Sequence, residues 1–157
     1  MVVILTPAPC AGAVAEENHH EHHLHLNEIG LSTGWVWLQA ESESAQGLHL
    51  HYMRRLGEGG VSRFLGLGLG YEVIFSQHSH HSILVQLGIF PWKKLVITVS
   101  PGILFHKEET TERKFSLHFE IVYEFELGTF EIGPAVGFAT AGSDRHFTLG
   151  VHVGKGF

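Results

Sequence analysis

From Leu26 to Phe157 the chain alternates, almost without a break, between large apolar residues and polar or glycine residues. A period of two is the pattern of β-strands whose two faces meet different surroundings. The apolar positions fall into eight groups: Ile29 to Trp37, Leu48 to Tyr52, Leu65 to Phe75, Ile83 to Ile89, Leu95 to Phe105, Phe115 to Leu127, Phe130 to Phe138 and Phe147 to Val153. Within these groups Thr33 is the one polar member of the apolar set, and no member is charged. The alternate set carries glycines, serines and glutamines together with Glu28, His49, His51, Glu72, His118, Glu120, Glu124, Glu126, Glu131, His146 and His152.

A soluble sheet puts its bulky apolar face inward and its charges outward. Here the face that holds charge is also the face of small residues, which could not cover so much apolar and aromatic surface. A lipid-facing exterior around a polar lumen accounts for both faces. Hydrocarbon tolerates no unpaired strand edge, so the sheet must close. The expected fold is therefore all-β, an eight-stranded antiparallel up-and-down transmembrane β-barrel over residues 26–157. On this reading arginine at Leu67 damages the barrel far more than serine at Gly68.

Aromatic residues support two interfacial girdles. Trp37, Tyr71, Phe75, Phe105, Phe115, Phe119, Phe138 and Phe147 fall near one end, and Tyr52, Trp92, Tyr123, Phe125, Phe130 and Phe157 near the other. The connections Ala40 to Gln46, Ser76 to His81, His106 to Lys114 and Ala141 to Arg145 are polar and are expected to be extracellular loops. Leu56 to Gly60, Phe90 to Lys94 and Gly128 to Thr129 are expected to be tight periplasmic turns, flanked by Arg54, Arg55, Arg63, Lys93, Lys94 and Lys155.

Ahead of the strands, residues 1–15 read as the remnant of a secretory signal, with Ala13-Val14-Ala15 as a small-x-small cleavage site. Glu16 is then expected to begin the mature chain. Lipidation at Cys10 is not expected, because Pro7 stands where such signals carry leucine. Cleavage leaves no cysteine, in keeping with an oxidising compartment. The net charge of −6 and the lack of a basic stripe argue against nucleic acid as a partner.

The chain ends Gly150-Val151-His152-Val153-Gly154-Lys155-Gly156-Phe157. This resembles the terminal strand of bacterial outer-membrane β-barrels, which alternates apolar residues and finishes in phenylalanine; Lys155 departs from it, since an apolar residue is usual there. The resemblance implies the outer membrane, with both termini in the periplasm, outer-membrane lipid around the barrel, and recognition of the last strand by the barrel-assembly machinery. It implies location rather than activity, because small barrels of this kind carry many functions.

The chain has 14 histidines, and five of them lie in the tail of residues 16–25, at His19, His20, His22, His23 and His25. Imidazole is the commonest transition-metal ligand, and several on one segment can supply a workable geometry for Zn2+ or another divalent transition metal. A second candidate group is His78, His80 and His81. The lumen is a third: its glutamates and histidines, without a lysine or arginine at mid-lumen, must pair, protonate or hold cations. A filled Glu–His–water network is the simplest outcome in so narrow a barrel. His80 and Ser82 resemble the His-x-Ser pair of barrel lipid-A deacylases, but no matched glutamate stands out, and no enzyme is expected. The leading expectation is a non-enzymatic barrel that binds a zinc- or nickel-class metal through its tail, with no cofactor required. The alternatives are a narrow cation pore through the acidic lumen and a structural or adhesive surface barrel.

Overall fold

The computed structural model describes residues 25–76, 79–107 and 111–157. The signal and the tail as far as residue 24, and with them His19, His20, His22 and His23, lie outside the described residues, as does His78. Nine strands form one antiparallel sheet: β1 (Asn27–Leu38), β2 (Glu43–Arg55), β3 (Leu65–Phe75), β4 (His80–Trp92), β5 (Leu95–Lys107), β6 (Thr111–Tyr123), β7 (Phe125–Leu127), β8 (Phe130–Ala141) and β9 (Asp144–Gly156). Sequence neighbours pair throughout except β6 and β7, which both pair with β8. The sheet closes where β1 meets β9, from Glu28 opposite Gly156 to Leu38 opposite His146. Beyond that ladder Asn27 and Phe157 exchange two backbone hydrogen bonds, of 3.1 and 2.9 Å. The two chain ends are thus zipped together at one end of the barrel, called here the terminal end; the opposite end is the loop end.

β6 and β7 are one barrel strand in a single register against β8, interrupted at Glu124. The partner across the gap explains the interruption. Pro134 has no N–H to give the ladder, and a Cβ on the preceding Gly133 would collide with the Tyr123 carbonyl. Proline acts similarly at Pro101, beside which the β4–β5 ladder lapses between Leu84 and Leu87, and at Pro91, where that ladder shifts register. The barrel therefore has eight walls, as the alternation requires.

The exterior is as expected. Trp35, Leu69, Phe75, Ile83, Phe115 and Leu149 are all at least half exposed, a surface no water-facing monomer carries contiguously and one that suits lipid. Val73 is the exception, covered although its parity points outward. Aromatic bands stand at both ends. Phe147 pairs with Trp37 near the loop end, and Tyr123 packs against Phe125 at 5.1 Å near the terminal end.

Three expectations need correction. The connections do not divide into long loops and tight turns. β8 and β9 are joined by Gly142-Ser143 alone, with Gly142 at φ +64°, whereas β2 and β3 are joined by residues 56–64, including a 3-10 turn at Ser62–Phe64. Backbone pairing needs no apolar side chain, so strands run on past the apolar band, and connection length does not orient the barrel. Second, Gly68 is no neutral site, because a Cβ there would meet the Tyr52 carbonyl oxygen of the next strand. Third, the lumen is not uniformly polar. Met53, Phe90, Val96, Val122 and Ala135 pack together nearer the terminal end, and Val36, Leu38, Ala45 and Ile74 nearer the loop end. These two apolar plugs share their levels with polar side chains: Met53 lies across from Glu28, Ile74 from His80 and Leu38 from His146.

Candidate functional site

Parity alone sends the lumen residues inward, but closure decides which of them meet. At the terminal end Glu28 of β1 accepts a hydrogen bond from His152 Nε2 of β9 at 3.2 Å and lies 3.5 Å from His51 Nε2 of β2. The imidazoles of His51 and His152 stack at 5.2 Å between centroids and 9° between planes. The facing residue on β1 is Gly30, and a Cβ there would meet both rings. His152 Nδ1 is in turn held by Ser32 Oγ at 3.1 Å, so both ring nitrogens of His152 have partners.

Toward the terminal opening Glu124 and Glu131 bring carboxylates next to Glu28. Arg55 offsets them: its guanidinium lies 3.6 Å from the Phe90 ring centroid and within electrostatic reach of all three. An arginine read from the sequence as merely snorkelling is therefore part of the lumen. Glu126, expected in the lumen, is exposed at the rim, because β7 there runs past the barrel's end toward Gly128.

One layer further in, His49 meets Glu120 at 3.8 Å and Gln86 at 3.1 Å. Its ring stands 5.4 Å from that of His51. Above it, Glu72 of β3 faces His118 of β6 at 3.4 Å and His146 of β9 at 3.8 Å, the two rings being edge to face at 5.3 Å. These three side chains come from walls that are not neighbours and meet across the lumen. A cavity of ≈ 30 Å³ adjoins them, lined also by His49, Ser100 and Glu120, enough for about two waters.

The remaining candidates separate. His25, the last tail histidine, lies at the terminal end, where a Cβ on Gly156 would stand 2.5 Å from its Cδ2. His80 is not a loop residue: it opens β4, points inward and meets Glu41 at 3.1 Å. His81 points outward and pairs with the Tyr71 hydroxyl at 2.7 Å. Adjacent residues on opposite faces cannot share a metal, so His80 and His81 form no common site. His80 does have a glutamate, but Ser82 Oγ is fully buried with no hydrogen-bond partner among the described residues, and nothing presents it to a substrate. Sequence reasoning missed Ser32, Glu41, Arg55 and Gln86 as partners. Ser32 and Gln86 were legible by parity; Glu41 lies in a connection, where parity says nothing.

No family model and no curated protein sequence matches the chain. Solved structures do. Neisserial surface protein A (NspA) superposes with a TM-score of 0.62 at 9% identity, over 83% of this chain and 97% of its own. Ail, the attachment invasion locus protein of Yersinia pestis, gives 0.56 at 12% identity, over 83% and 97%. A transmembrane β-barrel designed de novo gives 0.54 at 12% identity, over 82% and 93%. At such identities the likeness speaks for architecture, and a barrel designed from first principles lies about as near as a natural one. The closed ladder, the apolar exterior and these neighbours together give the chain the fold of a small eight-stranded transmembrane β-barrel.

Proposed function

We propose that the chain is a non-enzymatic barrel of the bacterial outer membrane that captures a divalent transition metal, of the zinc or nickel class, through its histidine-rich tail, for buffering, sensing or hand-over. Both termini face the periplasm, outer-membrane lipid surrounds the apolar exterior, and the last strand, ending in Phe157, is what the barrel-assembly machinery recognises. The observation that carries the metal reading is the crowding of five histidines into His19 to His25, immediately ahead of β1. His25 packs by Gly156 at the barrel's terminal end, the end toward which Glu28, His51 and His152 converge.

Neutral imidazole is the ligand, and protons compete with metal for it. Affinity should therefore fall as pH drops below about 6.5. Because zinc takes four ligands, loss of any one tail histidine should be made up in part by a neighbour. Isothermal titration of the refolded protein, with and without residues 16–25, is the test. Removal of the tail should abolish the tightest site and leave folding intact, since the hydrogen-bonded ladder begins at Asn27. Equal affinity and stoichiometry in the two forms would reject the tail. A barrel that is purely structural or adhesive would bind no metal in either.

A further inference from the structure

The described lumen contains three groups of side chains whose ligand atoms all lie within 4.8 Å of one another: Glu28 with His51 and His152, Glu28 with Glu124 and Glu131, and Glu72 with His118 and His146. They are not equivalent. In the first, His152 bonds Ser32 through one nitrogen and Glu28 through the other, and His51 Nδ1 alone is buried without a hydrogen-bond partner among the described residues. The second is all carboxylate, and Arg55 sits against it.

The third leaves more polar atoms unmet than the first. Glu72 Oε2 and His146 Nε2 are buried without a hydrogen-bond partner among the described residues. Such groups cost free energy unless something meets them. Their spacing says what would. In a tetrahedral zinc site with bonds of about 2.0–2.1 Å, neighbouring ligand atoms stand about 3.3–3.4 Å apart. His118 Nε2 lies 3.4 Å from Glu72 Oε2, and His146 Nε2 lies 3.8 Å from Glu72 Oε1. The two contacts reach different oxygens of the carboxylate and are long for hydrogen bonds, and one ligand atom from each of the three residues lies within 4.8 Å of the others.

The geometry points to a buried two-histidine, one-carboxylate site for a divalent transition metal of the zinc class, formed by Glu72, His118 and His146. The adjoining ≈ 30 Å³ cavity leaves room for water as a fourth ligand. A second cavity of ≈ 20 Å³ shares His118 and His146 with the first and runs toward the loop end between Glu41, His80 and Asp144. An ion held by His118 and His146 would lie beside both cavities. Once bound it ties β3, β6 and β9 together across the lumen. None of these strands is hydrogen-bonded to another of the three. The ion therefore acts as a cross-brace on the closed barrel, and binding to the folded form raises its stability by mass action. This site stands independently of the tail.

The test uses the full chain with His19, His20, His22, His23 and His25 all replaced by glutamine, so that the tail reading and this one fail separately. Refolded in detergent, the protein is titrated with cobalt(II). About one equivalent should bind with the strong visible absorption of four-coordinate cobalt, be displaced by zinc, and raise the temperature at which heat-modifiable gel migration is lost. Glu72→Gln and His146→Gln should each weaken cobalt binding by about tenfold or more. The outward His81→Gln should leave it unchanged. Absence of stoichiometric binding, or an unaltered spectrum and affinity in folded Glu72→Gln and His146→Gln, would overturn the site. Should those variants not refold, X-ray absorption of the zinc-loaded, tail-substituted chain decides. Two imidazoles with oxygen ligands are expected. A shell of oxygens alone, or of three or more imidazoles, overturns the assignment.

Discussion

Gly34 and Gly150 face each other in the seam where β1 meets β9. A Cβ on Gly34 would run into the Leu149 carbonyl, and one on Gly150 into the carbonyl of Thr33. The opposing atoms are backbone in both cases, so no rotamer change relieves the contact. Gly137 offers the contrast: a Cβ there first meets the Thr148 side chain at 3.4 Å, an ordinary contact beside the central cavity. Gly34→Ala or Gly150→Ala should therefore cost about 1–3 kcal/mol, the usual range for overpacking, while Gly137→Ala stays close to neutral. Urea-induced unfolding of the lipid-refolded barrel measures both. A seam variant as stable as the parent would mean that the seam opens more easily than its ladder implies. The same residue-level logic explains the lumen imidazoles: Gly30 keeps the space that His51 and His152 fill, and Gly70 keeps the space beside His49 and Gln86.

At the scale of the strand, the two faces have separate rules. Leu67 projects outward with 49% of its surface exposed, so Leu67→Arg places a charge against lipid at a cost of about 2–4 kcal/mol if the site lies near the midplane. A serine at Gly137 faces the lumen cavity, meets no backbone atom within 3.4 Å, and should cost far less. The ratio of folded to unfolded bands after refolding in vesicles reports the difference; equal loss in the two variants would contradict a lipid-facing Leu67. The outward face was legible because a strand repeats every second residue, and the eight walls followed from it. The apolar plugs were not. In Trp35-Val36-Trp37-Leu38, Ile83-Leu84-Val85 and Ile121-Val122-Tyr123 every residue is apolar, so alternation carries no contrast where the inward Val36, Leu38, Leu84 and Val122 lie. Nor could alternation bring Glu72, His118 and His146 together. Their meeting depends on the stagger of closure between β3, β6 and β9, which is a property of the ladder and not of any one strand. His80 was misplaced for a related reason: polar residues at a strand end look like a loop until the partner strand is known.

For the molecule as a whole, the decisive quantity is how much of the lumen is filled. Eight walls enclose an interior just wide enough for side chains, and here two apolar tiers are set among polar side chains. Phe90, Met53 and Val122 form the tier toward the terminal end and Val36, Leu38 and Ile74 the tier toward the loop end, each level with glutamates or histidines. Two cavities among the described residues of the lumen measure ≈ 30 and ≈ 20 Å³, room for a few waters. A cation crossing the barrel would have to shed its hydration to pass each apolar tier. So narrow an interior argues against the pore reading. Planar bilayers loaded with the refolded protein should show no steady conductance at either polarity in monovalent salt. Phe90→Ala, which empties the largest plugging side chain at the terminal end, should cost about 3–5 kcal/mol of stability and still leave the loop-end tier closed, so that it too stays silent. Discrete, cation-selective steps from the unmodified barrel would show that the plugs move aside, and would restore the narrow pore as the function of this lumen.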